Sequence, residues 1–302
     1  MAIITILGNS AAVPAKNRKL SAHLLELDGH SMLFDCGEGT QFQLINFRKK
    51  IHKISHIFIT HLHGDHFYGL AGLLSTMSML NRSKPIDIFG PQGLQDYLEA
   101  LEAIASSGHS FDVNVHIVNT DNKSKIFENN DYSIYAFPLL HSVETYGYIY
   151  QQKVLKPNIK KSFIKDRNIP IEWFNRIKNG EDFIDEVGNV FANKDITERL
   201  KSPKSYAYCT DTAYFEQLSN YVQDVDLLYH ESTFLQSNNE DAIAKMHSTA
   251  SDAANIAKLA KVDRLIIGHF SARYFDLSDF DKEAKTIFTN TIVATEGLQI
   301  EF

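Results

Sequence analysis

His61-Leu62-His63-Gly64-Asp65-His66 places four side chains of metal-ligating type within six residues, and this motif is the strongest indication of the fold. It follows the apolar, β-branched run at residues 54–60, which predicts a buried strand. Residues two apart in extended chain point the same way, so His61 and His63 can reach one ion together. The glycine permits a sharp turn, and the Asp-His pair after it can begin a helix and ligate a second ion. Imidazole and carboxylate ligands favour zinc, with manganese or iron as alternatives.

Three further ligand candidates each follow a strand-like segment, as the histidine motif does. They are His141 after residues 137–140, Asp211 after residues 206–210, and His269 after residues 265–268. Ligands that recur at strand ends are expected where loops converge on one edge of a sheet. Two metal ions about 3.5–4 Å apart need such further ligands and a bridging group. The sequence therefore predicts a two-metal site built from several strand ends.

Length and composition indicate a globular protein. The chain has 302 residues, of which 44% are hydrophobic and 22% charged, and its 15 Gly and 7 Pro exclude collagen-like and low-complexity classes. This length allows one large domain or two ordinary ones. The net charge of −7 argues weakly against a nucleic-acid partner, although a local basic patch can work on an acidic body.

The sequence carries no signal for export or membrane insertion. Its first residues lack the basic start of a signal peptide. The best long apolar stretch, residues 68–80, is too short and too rich in small polar residues to span a bilayer. The two cysteines cannot form a disulfide framework, which favours a reducing compartment. We therefore expect a soluble, cytoplasmic protein that does not interact with a membrane.

Residues 151–203 differ in composition from the sequence on either side. They contain the one tryptophan of the chain, Trp173, many charges, and no convincing apolar periodicity. Six basic residues lie close together in this segment: Lys153, Lys156, Lys160, Lys161, Lys165 and Arg167. Strand and helix patterns resume after it, which indicates an insertion in a layered α/β sandwich.

Five stretches of the chain resemble the ribonuclease Z family of tRNA 3′-processing endonucleases, which belongs to the metallo-β-lactamase superfamily. They are FDCGEGTQ at 34–41, the motif at 61–66, YHEST at 229–233, KMHSTA at 245–250 and GHFSARY at 268–274. The histidine motif alone specifies only the superfamily, whereas the other stretches make the resemblance specific. The similarity extends over nearly the whole chain and fits the short form of the enzyme.

The resemblance implies an α/β fold, the four-layer αββα sandwich of metallo-β-lactamases with an inserted flexible arm. Residues 1–302 would form one such domain, and residues 151–203 would be its tRNA-binding arm. A homodimer with two Zn²⁺ ions per chain is implied as well. By position, His61, His63 and His141 would hold one ion, Asp65, His66 and His269 the other, and Asp211 would bridge them.

The activity that the resemblance implies is removal of 3′ trailers from precursor tRNA, leaving a 3′-hydroxyl on the tRNA and a 5′-phosphate on the trailer. Two zinc ions would form hydroxide from a bridging water near neutral pH. Asp65 would accept the proton of that water. His247, oriented by Glu231, would protonate the departing 3′-oxygen. Asp35 is expected to hydrogen-bond a ligand histidine.

Substrate contacts are predicted in three places: a loop near the N-terminus, the last motif stretch and the arm. Residues 14–19 resemble the family's loop at the tRNA end, with Lys19 where the family has Asn. The arm lacks the family's Gly/Pro-rich tip and has one proline, Pro170, in its place. Basic residues expected to contact RNA are Lys16, Arg18, Arg273, Lys160, Lys161 and Lys165.

Two other functions remain open on the sequence. A small-molecule hydrolase of the same superfamily, such as a lactonase, thioesterase or phosphodiesterase, would need neither a basic arm nor the pair of His247 and Glu231. A non-catalytic RNA-binding relative should have lost metal ligands, whereas all seven ligand positions are occupied in this sequence.

Overall fold

The computed structural model describes residues 2–15, 18–104, 108–154, 156–165, 167, 169–198 and 202–302. These residues belong to two compact units, one made of residues 1–128, 133–151 and 204–302, the other of residues 129–132 and 152–203. Each unit has a hydrophobic core of its own. None of the helices in these ranges combines the length and the apolar composition needed to cross a lipid bilayer.

Strands occur throughout the described chain. In chain order they are β1 (Ile3–Gly8), β2 (Ser10–Ala11), β3 (Ala22–Glu26), β4 (Ser31–Phe34), β5 (Ile54–Phe58), β6 (Ile86–Gly90), β7 (Val113–Ile117), β8 (Ser124–Glu128), β9 (Tyr132–Pro138), β10 (Tyr146–Gln152), β11 (Asn158–Ile159), β12 (Phe183–Ile184), β13 (Val190–Phe191), β14 (Thr197–Glu198), β15 (Ser205–Cys209), β16 (Leu227–Glu231), β17 (Arg264–Gly268), β18 (Phe270–Ser271), β19 (Thr291–Val293) and β20 (Gln299–Glu301).

The helices lie between these strands. They are α1 (Thr40–Asn46), α2 (Gly64–Phe67), α3 (Leu70–Met79), α4 (Gly93–Ile104), α5 (Lys161–Lys165), α6 (Ile171–Lys178), α7 (Asn193–Ile196), α8 (Leu218–Tyr221), α9 (Asn239–Lys245), α10 (Ala250–Leu259) and α11 (Ser278–Lys285). Short 3₁₀ turns occur at Ile51–Lys53 and Gln236–Asn238.

Two seven-stranded sheets form the centre of the first unit. The first has the order β20-β1-β3-β4-β5-β6-β7, and the second has the order β19-β17-β16-β15-β10-β9-β8. Pairing is parallel from β4 to β7 and from β15 through β16 and β17 to β19. Parallel strands need crossover connections, and the helices between them serve as those crossovers.

Aromatic side chains fill the space between the two sheets. The Phe34 ring lies 5.4 Å from the Tyr206 ring, and the Phe58 ring lies 5.3 Å from the Tyr148 ring. Helices α1, α3 and α4 contribute to the core outside the first sheet, and α8, α10 and α11 to the core outside the second. The order of layers is helix, sheet, sheet, helix, which confirms the predicted αββα sandwich.

The carboxyl ends of the parallel strands carry the chemistry-bearing residues. Asp35 follows β4, the histidine motif follows β5, Asp211 follows β15, and His269 follows β17. The strand predicted over residues 54–60 ends at Phe58, two residues earlier than expected. Ligands commonly bind beyond the carboxyl ends of strands in α/β sheets, and the topology brings these residues to one edge.

The second unit is a small folded body rather than an irregular loop. It contains α5, α6 and α7 and the two-stranded pairings β11–β14 and β12–β13. Its core contains Phe163, Ile177 and Phe183, all at most 9% exposed. The sequence showed no apolar period there because each short element contributes only one or two core residues. In α6, for example, Ile177 is buried while Ile171 is 87% exposed.

Candidate metal centre and catalytic site

The histidine motif lies where β5 ends and the short helix α2 begins. His61 and His63 precede the helix, whose first turn carries the last two ligands of the motif. Gly64 makes the turn between them. A β-carbon at this position would lie 2.3 Å from the Tyr68 ring, so a larger residue would displace this exposed side chain.

His61, His63 and His141 form the first group of candidate ligands. His61 Nε2 and His141 Nε2 lie 3.0 Å and 3.3 Å from His63 Nδ1. Asp211 Oδ2 lies 3.6 Å from His61 Nε2 and 3.7 Å from His141 Nε2. Ligand atoms of all four side chains lie within 4.8 Å of one another, so one ion can contact all of them.

Asp65, His66 and His269 form the second group. Asp65 Oδ2 lies 3.4 Å from His66 Nε2 and 3.7 Å from His269 Nε2. Asp211 Oδ1 is 3.2 Å from His66 Nε2 and 3.1 Å from His269 Nε2. The two oxygens of Asp211 therefore face different groups, which is the arrangement that a bridging ligand needs.

Hydrogen bonds on the far side of the rings orient the ligand histidines. His66 Nδ1 donates to Asp35 Oδ2 at 2.7 Å, as expected for Asp35. His269 Nδ1 donates to Thr233 Oγ1 at 2.9 Å. His141 Nδ1 donates to the carbonyl of Met246 at 3.1 Å. Such partners fix the tautomer of each ring and turn Nε2 toward the centre of the site.

The site contains buried nitrogen atoms that need a partner. Among the described residues, Nε2 of His66 and Nε2 of His269 are buried without a hydrogen bond of acceptable geometry. Buried polar atoms normally have such a bond, and an ion held jointly with Asp65 and Asp211 would satisfy both nitrogens. The donor set of imidazole nitrogens and carboxylate oxygens suits zinc. The residues present therefore fit a pair of metal ions.

Electrostatics favour the ligating forms of His61, Asp65 and Asp211. For His66, burial is outweighed by the carboxylates of Asp211, Asp35 and Asp65, which raise its pKa above the usual range. Burial lowers the pKa of His61 well below its usual range, which keeps the imidazole neutral. Burial alone would raise the pKa of Asp65, but the neighbouring His66 and His269 lower it strongly. The pKa of Asp211 is likewise lowered by His269, His66 and His61 against the effect of burial. Both carboxylates are therefore ionised at neutral pH.

His247 and Glu231 form a hydrogen-bonded pair beside the two groups. His247 Nδ1 donates to Glu231 Oε1 at 2.7 Å, and the Glu231 side chain is fully buried at the end of β16. Thr212 N–H also donates to Oε1, and the Thr233 hydroxyl donates to Oε2. Burial lowers the pKa of His247, but the Glu231 carboxylate outweighs burial and raises it to about 9. His247 is therefore protonated at neutral pH.

An open cavity of about 390 Å³ joins these parts. It is lined by ligands of both groups and by His247, together with Ala12, Ser142 and Lys245. Because Nδ1 of His247 is bonded to Glu231, Nε2 is the ring atom that can donate a proton to a group in this cavity. A phosphodiester there could meet the metal-ligand groups and the proton donor at once.

Two of the predicted substrate contacts outside the arm, Arg273 and Arg18, have partners within the protein. Arg273 Nη1 lies 2.6 Å from Asp241 Oδ2, and its guanidinium lies 5.0 Å from the centre of the Phe234 ring. A phosphate contact would have to replace or share this ion pair. Arg18 Nη2 donates to the Ser271 carbonyl at 3.2 Å. Lys16 lies outside the described residues.

The three arm lysines belong to the second unit. Lys160 Nζ donates to the Asp195 carbonyl at 2.7 Å, while Lys161 and Lys165 are exposed on α5. The 152–203 segment has eleven Lys or Arg and eight Asp or Glu, so it carries a net charge of +3 in a chain of −7. The positive charge predicted for this segment is therefore a local feature of a chain that is acidic as a whole.

Sequence reasoning missed Thr233, which connects the candidate ligand His269 to the pair of Glu231 and His247. Its hydroxyl accepts from His269 Nδ1 and donates to Glu231 Oε2, and Glu231 in turn holds His247. Thr233 stands within the YHEST stretch, so its place in that motif was the available signal. Its role depends on contacts between residues up to 36 positions apart, which the motif alone does not show.

Comparison with known proteins finds a matching family model and similar proteins for this chain. Residues 2–159 match the family model described as "Anti-Pycsar protein Apyc1". The chain is 37% identical to the ribonuclease Z of Parabacteroides distasonis over 98% of both chains. It is 40% identical to the ribonuclease Z of Cytophaga hutchinsonii, covering 97% of this chain and 93% of that one.

Solved structures show the same architecture. The human short-form tRNase Z superposes with a TM-score of 0.74 at 29% identity, over 99% of this chain and 98% of that one. The metallo-β-lactamase fold protein YhfI from Bacillus subtilis gives a TM-score of 0.70 at 18% identity, over 100% and 99%. The second likeness supports the fold alone.

Proposed function

The chain belongs to the ribonuclease Z family, and on that premise we propose that it removes 3′ trailers from precursor tRNA as a metal-dependent endoribonuclease. Residues 2–159 belong also to the family described as anti-Pycsar protein Apyc1. One observation carries the proposal: members of both groups of candidate metal ligands line one cavity together with His247, which is held by buried Glu231. Asp211, His247 and His269 lie outside residues 2–159, so the shorter match does not include the whole site.

Two Zn²⁺ ions per chain are the proposed cofactors. One would be held by His61, His63 and His141, the other by Asp65, His66 and His269, with Asp211 between them. When bound, such ions supply a lowered pKa for water and stabilise negative charge on a phosphoryl group. The Nε2 atoms of His66 and His269 are buried against Asp211 without a well-oriented hydrogen bond, and this supports the assignment.

The chain's own residues handle the protons. Asp65 borders the cavity, so its carboxylate is placed to accept a proton from the attacking water. His247 is protonated and can donate to the departing 3′-oxygen of the tRNA body. Glu231 keeps His247 charged and oriented through the 2.7 Å hydrogen bond. The products would be a tRNA with a 3′-hydroxyl and a trailer with a 5′-phosphate.

Incubation with a precursor tRNA that carries a 3′ trailer tests the function directly. Mapping both new ends should give a 3′-hydroxyl on the tRNA and a 5′-phosphate on the trailer. A small-molecule hydrolase of the same fold would leave the precursor intact while cleaving small esters or phosphodiesters. A non-catalytic relative would bind the precursor and cleave neither substrate.

The inserted unit at residues 152–203 is the proposed tRNA-binding arm. Its net positive charge contrasts with the acidic rest of the chain, and phosphate contacts from lysines allow RNA to be bound by shape. Strands β10 and β15 are antiparallel neighbours, with Gln151 paired to Ser205. Both ends of the insertion therefore leave the first unit side by side, so a short linker can replace it.

Replacing residues 155–200 by a short Gly/Ser linker should abolish efficient cleavage of precursor tRNA, mainly through weaker binding. Hydrolysis of a small phosphodiester should survive, because no proposed ligand lies in the deleted segment. Replacing Lys160, Lys161 and Lys165 with glutamine should reduce the slope of log affinity against log salt by about 0.7–0.9 for each lost phosphate contact. Fluorescence anisotropy over a salt series measures this slope.

Lys258, Lys282 and Lys285, replaced by glutamine in the same way, provide the control for net charge. They are exposed residues of the first unit, and their loss should change the slope much less. Undiminished processing by the arm-deleted protein would rule out a tRNA-binding role for the insertion.

A homodimer is the proposed assembly, and exposed apolar side chains on neighbouring helices support it. Phe42 and Ile45 on α1 and Met79 on α3 are between 59% and 72% exposed, and the Thr76 hydroxyl bonds Gln41 between these helices. Exposed apolar groups that cluster in this way mark interaction sites.

The free, buried thiols of Cys36 and Cys209 fit the reducing cytoplasm as the proposed compartment.

The double variant Phe42→Ser/Ile45→Ser should convert the dimer to a monomer, since it removes two large apolar groups from the proposed interface. Light scattering after gel filtration measures the mass. Phe275→Ser is the matched control, because Phe275 is 89% exposed and lies on another segment. An unchanged mass for the double variant would place the interface elsewhere.

A further inference from the structure

Left-handed backbone is concentrated around the candidate site. Within the described ranges nine residues other than glycine have positive φ, and five of them belong to this region: Ala12, Asp35, Asp211, Met246 and His269. A positive φ is uncommon outside glycine, asparagine and aspartate. It is retained where the surrounding structure holds it, often at functional sites. Asp211 and His269 are proposed ligands, and Asp35 and Met246 accept hydrogen bonds from ligand histidines. Ala12 has no role in the mechanism described so far.

Ala12 lies at the centre of a tight turn with φ 59°. Val13 N–H donates to the Ala11 carbonyl at 2.7 Å, an i to i+2 hydrogen bond that defines a γ-turn. With a positive φ at its centre this turn is rare and strained. It leaves the N–H of Ala12 outside the turn, where it donates to Asp65 Oδ2 at 2.8 Å. A strained backbone amide is thus directed at the proposed proton acceptor.

Neighbouring contacts fix this turn relative to the second ligand group. Strand β2, which ends one residue before Ala12, pairs in parallel with β18, and Phe270 N–H donates to the Asn9 carbonyl. Strand β18 begins directly after His269. The Ser10 hydroxyl donates to the Val13 carbonyl at 2.9 Å and closes the turn. The amide of Ala12 and the ring of His269 are therefore held by one pair of short strands.

Asp65 Oδ2 is also the oxygen nearest the second group, 3.4 Å from His66 Nε2 and 3.7 Å from His269 Nε2. A carboxylate that accepts from a backbone amide is held in one orientation by a charge-assisted hydrogen bond. We infer that the Ala12 amide is a positioning group that holds Asp65 Oδ2 toward the second ligand group. This inference rests on the proposed two-metal function and adds a residue that acts on Asp65 rather than on substrate.

The Ala12→Pro variant tests the inference, because proline removes the N–H and cannot adopt a positive φ. Full-length zinc-loaded protein is titrated with a chromophoric chelator, which reports the affinity of each ion without any substrate. The affinity of one zinc should fall by about 10–100-fold, the usual cost of losing a group that orients a metal ligand. The affinity of the other zinc should stay within about twofold, as expected if Ala12 acts on only one ligand group.

Two further variants separate positioning from simple loss of stability. Ala12→Gly keeps the N–H and favours the positive φ, so both affinities should match the original protein. Lys261→Pro removes an N–H at a residue with φ 55°, where the amide donates to the Lys258 carbonyl and no site residue is contacted. It should lower the melting temperature and leave both affinities unchanged. If Ala12→Pro does not fold, Ala12→Val keeps the N–H, disfavours the turn, and should weaken the same ion selectively.

Equal weakening of both ions in the Ala12 variants, or no weakening of either, would overturn the inference. So would a loss of zinc affinity in Lys261→Pro as large as that in Ala12→Pro. The outcome is independent of the RNA substrate. If the unaltered protein bound two zinc ions but left precursor tRNA intact, the proposed function would fail while the role of Ala12 would still be measured.

Discussion

Asp211→Ala is expected to lower cleavage of precursor tRNA by about 10³-fold or more and to leave fewer than two metal ions bound. The reason is the position of the carboxylate, whose Oδ1 lies 3.1 Å from His269 Nε2 and whose Oδ2 lies 3.6 Å from His61 Nε2. Each ion would lose a ligand at the same time. A metal ion contributes several kcal/mol of transition-state stabilisation, and about 1.4 kcal/mol corresponds to a tenfold change in rate.

Elemental analysis of the gel-filtered protein gives the metal content, and initial rates on precursor tRNA give the activity. The unaltered chain should hold about two zinc ions. Asp224→Ala is the matched control, because Asp224 has a similar positive φ of 57° but is exposed and outside the site. It should keep both ions and full activity. Two tightly bound ions in Asp211→Ala would show that this residue does not bridge them.

His247→Ala is expected to reduce turnover of precursor tRNA by about 10²–10⁴-fold, the usual contribution of a positioned general acid. Its ring donates to buried Glu231, and the carboxylate keeps the imidazole protonated at neutral pH. Metal content should be unchanged, because Asp211 and the six other proposed ligands remain. A nitrophenyl phosphodiester has a good leaving group that needs little protonation, so its hydrolysis should fall much less.

The informative measurement is the ratio of the activity loss on precursor tRNA to the activity loss on the nitrophenyl phosphodiester. Glu231→Gln should show the same selectivity with a smaller effect, since the amide oxygen still accepts from His247 but carries no charge. His52→Ala, at an exposed histidine away from the site, should leave both substrates unaffected. Equal losses on both substrates in His247→Ala would mean that His247 does not protonate the leaving oxygen.

Part of this site could be predicted from the sequence because its ligands follow strands. His61 and His63 are two residues apart in extended chain, and Asp211 and His269 each come directly after an apolar strand. Parallel strands of one sheet end at one edge, so ligand types that recur at strand ends are expected to converge. The structure adds that the ends of β5 in the first sheet and of β15 and β17 in the second lie at the same edge of the sandwich. The motifs also predicted the αββα sandwich, which the topology and the structural relatives confirm. Local order along the chain was sufficient for the first prediction, whereas the second depended on the family resemblance that the motifs carry.

Contacts between residues far apart in the sequence became visible in the three-dimensional structure alone, because no local pattern encodes them. The core of the inserted unit joins single apolar residues from several short elements, so no period marks it. Arg273 pairs with Asp241, 32 positions away, although its motif predicts a phosphate contact. The amide of Ala12 reaches Asp65 across 53 positions, and any residue except proline supplies the same N–H. The sequence was enough to identify the types of the candidate ligands, their order and their places at strand ends. The groups that orient them depend on backbone geometry, which side-chain identity does not specify.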